Sequence, residues 1–157
     1  MSRLSHIDDN GRSRMVDVSD KPATTRAATA RGHVTCTCAT LDQVRAGTTA
    51  KGAVIQTAEL AGVMAAKRTS ELVPLCHPLP LTHAEVRIEI DDALPGFRVE
   101  SEVRTKAETG VEMEALTAVS VAGLTLFDML KAIDRTMVIG GIEVTSKTGG
   151  KSGTWLR

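Results

Sequence analysis

Asp128 and Lys131 stand three residues apart within "LTLFDMLKAID". On a helix that spacing puts a carboxylate and an ammonium on one side, where they can act as a coupled acid and base. Partial burial among the apolar neighbours would raise the Asp128 pKa unless Lys131 offsets it, and such coupling suits proton transfer near neutral pH. An ordinary intrahelical ion pair has the same spacing. Glu112 and Glu114 stand near the start of the same periodic segment, where the helix dipole and capping favour carboxylates. Glu114 precedes Asp128 by fourteen residues, which is about 21 Å along a helix axis and about 40° around it. One compact centre cannot easily use both. Either the ligand is as long as a nucleoside triphosphate or different subunits supply the two ends. Lys51 and Lys67 are separated in the same way, at opposite ends of an earlier helix.

"ELVPLCHPLPLTH" at 71–83 pairs Cys76 with His77. Adjacent side chains diverge on an extended chain, which argues against both ligating one ion and against a Cys–His nucleophile. Cys76 with His83 gives only a partial zinc shell, without an evident fourth ligand. Pro74, Pro78 and Pro80 stiffen the backbone, so the segment can present His77 and the Leu75–Cys76 backbone in fixed geometry. A stiff helix-to-strand connection accounts for the same residues. Cys36 and Cys38 would share one face of a strand and read as buried, inert thiols. The tail "TSKTGGKSG" resembles the end of a phosphate loop, but Thr145 stands where that motif needs glycine, and no helix can follow. Its backbone amides with Lys147 and Lys151 can still close on an anion, the alternative being a flexible terminus.

The elements that must position these groups follow from periodicity. Residues 1–14 are polar and aperiodic and read as a mobile arm, followed by a short extended piece at "MVDVSDKP". Val34, Cys36 and Cys38 alternate with polar residues as on a half-buried strand over 31–38. "LDQVRAG" adds a helical turn. Thr48 or Thr49 can cap a helix that runs to about Thr69 with a stripe of small residues. "HAEVRIEIDD" and "FRVESEVRTKA" alternate around the turn "DDALPG" and predict a hairpin. "TGVEMEALTAVSVAGLTLFDMLKAID" is the longest helical pattern, with Thr109 and Glu112 spaced as a capping box. "MVIGGIEVTSK" closes the order β-α-β-β-α-β. The fold class is therefore α+β, a ferredoxin-like sandwich with two helices on one face of an antiparallel sheet. Apolar residues on the other face would need a second copy to cover them, so oligomerisation is expected.

The chain has 157 residues, 42% hydrophobic but 2% aromatic, so a single core must be aliphatic and alanine-rich. Basic and acidic residues number 19 each, so no overall field draws the chain to nucleic acid or anionic lipid, and a polyanion must be met locally. No signal-like run and no stretch of about 18 apolar residues stands out, and the cysteine count is odd. A cytoplasmic protein without a disulfide framework is expected.

At "KRTSELVPLCHPLPLTH", "TGVEMEALTAVSVAGLTLFDMLKAID" and "GGKSG" the sequence resembles the molybdenum-cofactor biosynthesis protein C family of cyclic pyranopterin monophosphate synthases. "RMVDVSDKP" and "AGVMAAKRTSE" extend the likeness from about residue 4 to the end. The resemblance implies a hexamer, a trimer of dimers of ferredoxin-like subunits with active sites at subunit interfaces. It implies a lyase that converts 3′,8-cyclo-7,8-dihydroguanosine 5′-triphosphate into cyclic pyranopterin monophosphate and releases pyrophosphate, with no metal or organic cofactor. On that likeness Asp128 and Lys131 carry acid and base roles with Lys51 assisting. Leu75, Cys76, His77, Met113 and Glu114 bind substrate, and Arg26, Lys67, Lys147 and Glu112 make further contacts, the basic ones to phosphates. Residues 15–157 would form one catalytic domain with a flexible Gly/Lys-rich segment near 147–153. Gly123 and Phe127 depart from the family's usual alanine and tyrosine, and a helical Gly123 costs up to about 1 kcal/mol unless close packing uses it. The rival class is a non-catalytic ferredoxin-like binding or regulatory module. An RNA binder of this shape would need sheet aromatics that the strands lack, and a regulatory domain would leave the Asp128 and Lys131 pair without a task.

Overall fold

A computed structural model describes residues 5–157, and the period-2 runs are its strands, the period-3.6 runs its helices. The elements are β1 (Thr24–Thr35), α1 (Cys38–Ala46), α2 (Val54–Ala66), α3 (Thr69–Leu72), β2 (Leu81–Asp91), β3 (Gly96–Ala107), α4 (Glu112–Leu130), β4 (Val138–Thr148) and β5 (Trp155–Leu156). The sheet order is β2-β3-β1-β4-β5 with every neighbouring pair antiparallel. Helices α2 and α4 pack on each other and on one face of the sheet. The class is thus α+β as expected; the helical turn read at "LDQVRAG" is lengthened into α1, and α3 and β5 are added to the predicted elements.

The core lies between that helix pair and the sheet. Val34, Val86, Ile88, Phe97, Val99 and Val103 point into it from the strands, and Ala58, Ala115, Ala118, Val119, Ala122, Leu126 and Leu130 from the helices. Small residues bring the layers close. A Cβ on Gly62 of α2 would lie 2.8 Å from the Ala118 carbonyl oxygen of α4 and 2.9 Å from Val86 Cγ2. A Cβ on Gly123 would lie 3.1 Å from Ile139 Cγ2, so close packing of α4 over β4 does use that glycine. By length and composition α4 is apolar enough to cross a membrane, contrary to the expectation of no such stretch. Its apolar side is instead buried against α2 and the sheet.

Several expectations are corrected. Strand β1 ends at Thr35, and Cys38 is the first residue of α1, with the Thr37 hydroxyl accepting from the Thr40 amide as N-cap. Cys36 and Cys38 therefore do not share a strand face. Cys36 is half-buried, with its thiol pushed up to about 11, chiefly by burial, while Cys38 is exposed. Neither Thr48 nor Thr49 caps α2. Thr49 donates to the Gly52 carbonyl, Gly52 takes a φ of 79°, and the helix begins only after Ala53. Among the described residues α4 has no side-chain cap, so the Thr109–Glu112 box does not form. The helix stops at Leu130, which leaves Lys131 as its C-cap.

The open face of the sheet is polar rather than apolar. Thr29, Arg31, Glu85, Arg87, Glu100, Glu102 and Thr145 line a shallow depression there of about 330 Å³. Exposed apolar residues lie on the helices at Leu60, Met64, Leu72 and Leu124, and on β4 and β5 at Val138, Ile142, Trp155 and Leu156. Residues 1–4 of the expected arm lie outside the described residues. In the remainder, Asp8 accepts from the amides of Asn10 and Arg12 in a tight turn, and Ile7 bridges to Ser13. The "MVDVSDKP" piece forms no strand of the sheet.

Beyond α4, buried Asp134 ties three segments together. Its carboxylate accepts from the Thr37 amide and Thr40 hydroxyl at the start of α1 and from the Thr136 amide and hydroxyl ahead of β4. Burial opposes its charge, yet these donors hold its pKa at about 2.

Gly62→Ala is expected to lower stability by about 1–3 kcal/mol through overpacking, although alanine has the better helix propensity by up to about 1 kcal/mol. Urea denaturation of the two proteins measures the difference. Equal or greater stability in the variant would show that the α2–α4 spacing is not set by this contact.

Candidate active site

The candidate residues gather at the two ends of α4. At its C-terminal end, Lys51 from the turn before α2 reaches Asp128, its Nζ donating to Oδ2 at 2.8 Å and to the Asp128 carbonyl at 3.0 Å. Lys131 Nζ reaches Oδ1 of the same carboxylate at 2.7 Å. One carboxylate is clasped between two ammonium groups, and the cluster carries a net positive charge. The expected partial burial is absent, since the Asp128 side chain is 57% exposed. Hydrogen bonds from Lys131 and then Lys51 hold its pKa down at about 2, so Asp128 is ionised at any physiological pH. It serves here as an acceptor that orients two lysines, and the transferable protons are theirs.

The other end of α4 opens on a cleft of about 390 Å³ lined by Leu75, Cys76, His77, Glu112, Met113 and Glu114, with Thr109 and Gly110 at the turn into the helix. The proline segment forms one wall, turned at Val73–Cys76 by a backbone hydrogen bond. His77 faces the segment ahead of β1, its Nε2 lying 2.7 Å from the Val16 carbonyl oxygen. Because a carbonyl only accepts, Nε2 carries the proton and Nδ1 is the ring's free acceptor in the neutral tautomer. The Cys76 thiol is pushed up by burial and by the Glu114 charge, which disfavours the thiolate. Glu114 itself is buried, and burial raises its carboxyl to about 7, with the neighbouring Glu112 charge adding to the rise.

Three of the predicted cations stand around this end. Lys147 Nζ on β4 lies 3.5 Å from Glu112 Oε1 and donates to the Ser152 hydroxyl in the glycine-rich tail. Glu112 therefore meets Lys147 instead of capping its own helix. Arg26 on β1 donates from Nη2 to the Glu108 carbonyl at 3.0 Å. It lies against the tail, because a Cβ on Gly150 would fall 1.9 Å from Nη1, and among the described residues its buried Nε has no partner. Lys67, the C-cap of α2, lines an adjoining depression that shares Leu79 with the cleft. Lys51, Asp128 and Lys131 thus form one group and the other nine candidates gather toward the second, separated by the length of α4, about 21 Å between Glu114 and Asp128. Sequence reasoning missed the part taken by Val16, Val18 and Lys21, which also line the cleft. Their segment has no periodicity to betray a contact with residues some sixty positions away.

Among the described residues His83, Glu85 and Glu102 bring donor atoms within 4.8 Å of one another. That group sits on the open sheet face, apart from both ends of α4, and its carboxylates are engaged by Arg87 and Arg104.

Comparison with known proteins gives a consistent picture. The profile of the MoaC family matches residues 15–150. The cyclic pyranopterin monophosphate synthase of Thermomicrobium roseum is 55% identical over 157 residues, which is 100% of this chain and 95% of that protein. The protein of the same name from a Nostoc species is 56% identical over 155 residues, 99% of this chain and 92% of its own. That of Cereibacter sphaeroides is 56% identical over 153 residues, 98% and 96% of the two chains.

Between its ordinary 4.5 and about 7, Glu114 holds a proton when folded that the unfolded chain has released. Stability is therefore expected to fall as pH rises through that window. Glu114→Gln removes this contribution. Denaturation midpoints followed across the window should diverge between the two proteins, and parallel curves would mean that Glu114 titrates normally.

Proposed function

The chain belongs to the MoaC family, and we propose that it converts 3′,8-cyclo-7,8-dihydroguanosine 5′-triphosphate into cyclic pyranopterin monophosphate with release of pyrophosphate. It is a lyase of molybdenum cofactor biosynthesis, a cyclic pyranopterin monophosphate synthase like its full-length relatives. The observation that carries the mechanistic reading is the Asp128 carboxylate held between Lys51 and Lys131.

Forming the cyclic phosphate requires a ribose-derived hydroxyl to attack the α-phosphorus. An O–P bond forms, the P–O bond to pyrophosphate breaks, and the hydroxyl proton must be taken up. Fixed ammonium groups suit the charge that develops on the departing pyrophosphate. The ionised Asp128 carboxylate takes up the hydroxyl proton, and the Lys131 ammonium, with Lys51 assisting, donates a proton to the departing pyrophosphate and holds its charge. Arg26, Lys67 and Lys147 bind phosphate oxygens, a task that cations with defined partners perform without much reorganisation. Glu114 and Glu112 meet the ring edge, with Glu114 poised by its pKa of about 7 to accept or donate there. His77, with the Leu75–Cys76 backbone and Met113, forms the wall. The reading invokes no metal or organic cofactor.

A single rigid α4 keeps these two groups about 21 Å apart. The proposed catalytic unit therefore combines the cleft of one chain with the lysine-clasped aspartate of another, in a hexamer built as a trimer of dimers. The apolar residues on the outer helix layer, Leu60, Met64, Leu72 and Leu124, support an interface between copies. The ferredoxin-like reading of the sandwich is supported by the order β2-β3-β1-β4 with α2 and α4 on one face. Residues 15–157 act as one catalytic domain whose Gly/Lys-rich segment closes over anions. A cytoplasmic location fits three free cysteines.

The purified protein is expected to release pyrophosphate from the cyclic dihydro-nucleotide and to form an oxidisable pterin. Absence of both products in a freshly prepared, folded sample would refute the reaction. Asp128→Asn and Lys131→Ala, both at exposed positions, should fold and assemble normally yet lose about 100-fold or more in kcat. Near-native turnover in either would remove that residue from the mechanism.

A further inference from the structure

We infer that Lys21 is a further substrate-contact residue, a phosphate-binding cation delivered to the cleft by the strap that runs from Met15 into β1. The inference rests on the proposed nucleotide reaction and adds a residue and a segment to it. Three observations carry it.

The strap is built into the cleft. Val16, Val18 and Lys21 line the same cavity as His77, Glu112 and Glu114. The hydrogen bond between His77 Nε2 and the Val16 carbonyl, at 2.7 Å, fastens the strap to the proline wall.

The strap also has a fixed local shape that projects Lys21. Asp17 Oδ1 accepts from the Ser19 amide at 2.9 Å and from the Ser19 hydroxyl at 2.6 Å, and the Lys21 amide donates to the Val18 carbonyl at 3.0 Å. Two consecutive turns end at Lys21, and strand β1 begins three residues later at Thr24, two residues before Arg26. The chain thus places a lysine and an arginine along one edge of the site, at most about 17 Å apart when extended, a span that a triphosphate with its nucleoside can bridge.

Lys21 is moreover an available cation. Lys51 and Lys131 are engaged by Asp128, Lys147 lies against Glu112 and Ser152, and Arg26 donates to Glu108. Lys21 faces a cleft containing two carboxylates, yet among the described residues its ammonium forms no ion pair. A cation held near the cleft without a partner is suited to an anion that arrives with the substrate, and a phosphate is the anion this substrate brings.

The test compares the full-length wild type with Lys21→Ala and Lys21→Arg. Pyrophosphate binding is measured by calorimetry, and kcat and KM are measured with the cyclic dihydro-nucleotide. Lys21→Ala should weaken pyrophosphate binding and raise KM by about tenfold, with a smaller change in kcat, because the lost contact is to a charged group. Its binding should respond less to added salt. Lys21→Arg should recover most of the loss, and both variants should melt at the wild-type temperature because the side chain is exposed. Unchanged pyrophosphate affinity and KM in Lys21→Ala, against an active wild type, would overturn the assignment while leaving the reaction intact. Equal losses in alanine and arginine variants would also overturn it, by showing that the strap and not the charge matters. A wild type that neither binds pyrophosphate nor turns over would overturn the reaction and this inference together.

Discussion

The rigid length of α4 is the constraint on which everything else depends. A helix that rises about 1.5 Å per residue cannot be shortened by packing, and this one is anchored along its buried side by Ala115, Ala118, Val119, Ala122, Leu126 and Leu130. Its two ends carry different chemistry. A buried, near-neutral carboxyl sits at the N-terminal end and an exposed carboxylate clasped by two lysines at the other. The same functional group, a carboxyl, thus shows opposite protonation behaviour at the two ends, set by burial in one case and by neighbouring ammonium groups in the other. Gly62 and Gly123 let α2 and β4 approach this rod closely, so the core that fixes the helix also fixes the separation of its functional ends.

Much of the scaffold was legible from periodicity. The β2–β3 hairpin followed from strict alternation around a turn, and α4 from its long apolar pattern. The failures have local physical causes. The Thr-Cys-Thr-Cys run imitates strand alternation, but Thr37 caps a helix instead, and the cue was a threonine three residues before another hydroxyl, Thr40. The capping box at Thr109 and Glu112 was a correct spacing without the bond, because Lys147 from β4 takes the carboxylate. The open sheet face was expected to be apolar, yet its outward positions on β2 and β3 are the charged members of the same alternation that builds the core.

The candidate site was legible only in pieces. The spacing of Asp128 and Lys131 announced a pair, and the structure forms it. Lys51 lies seventy-seven residues away, and no local pattern could bring it to the same carboxylate; family resemblance alone pointed to it. The contact between His77 and Val16 was invisible for a similar reason. A backbone carbonyl has no sequence signature, and the strap that carries it has no period.

In the proposed reaction a catalytic unit is completed by two chains, one giving the Glu114 cleft and the other the Asp128 clasp. Co-expressing Asp128→Asn chains with Glu114→Gln chains tests it most directly, because a mixed pair contains one site with both defects and one with neither. If sites are shared, the mixed assemblies should regain up to about a quarter of wild-type turnover, although each variant alone is inactive. If each chain holds a complete site, every site in the mixture keeps one defect, and turnover no higher than that of the separate variants would contradict the account.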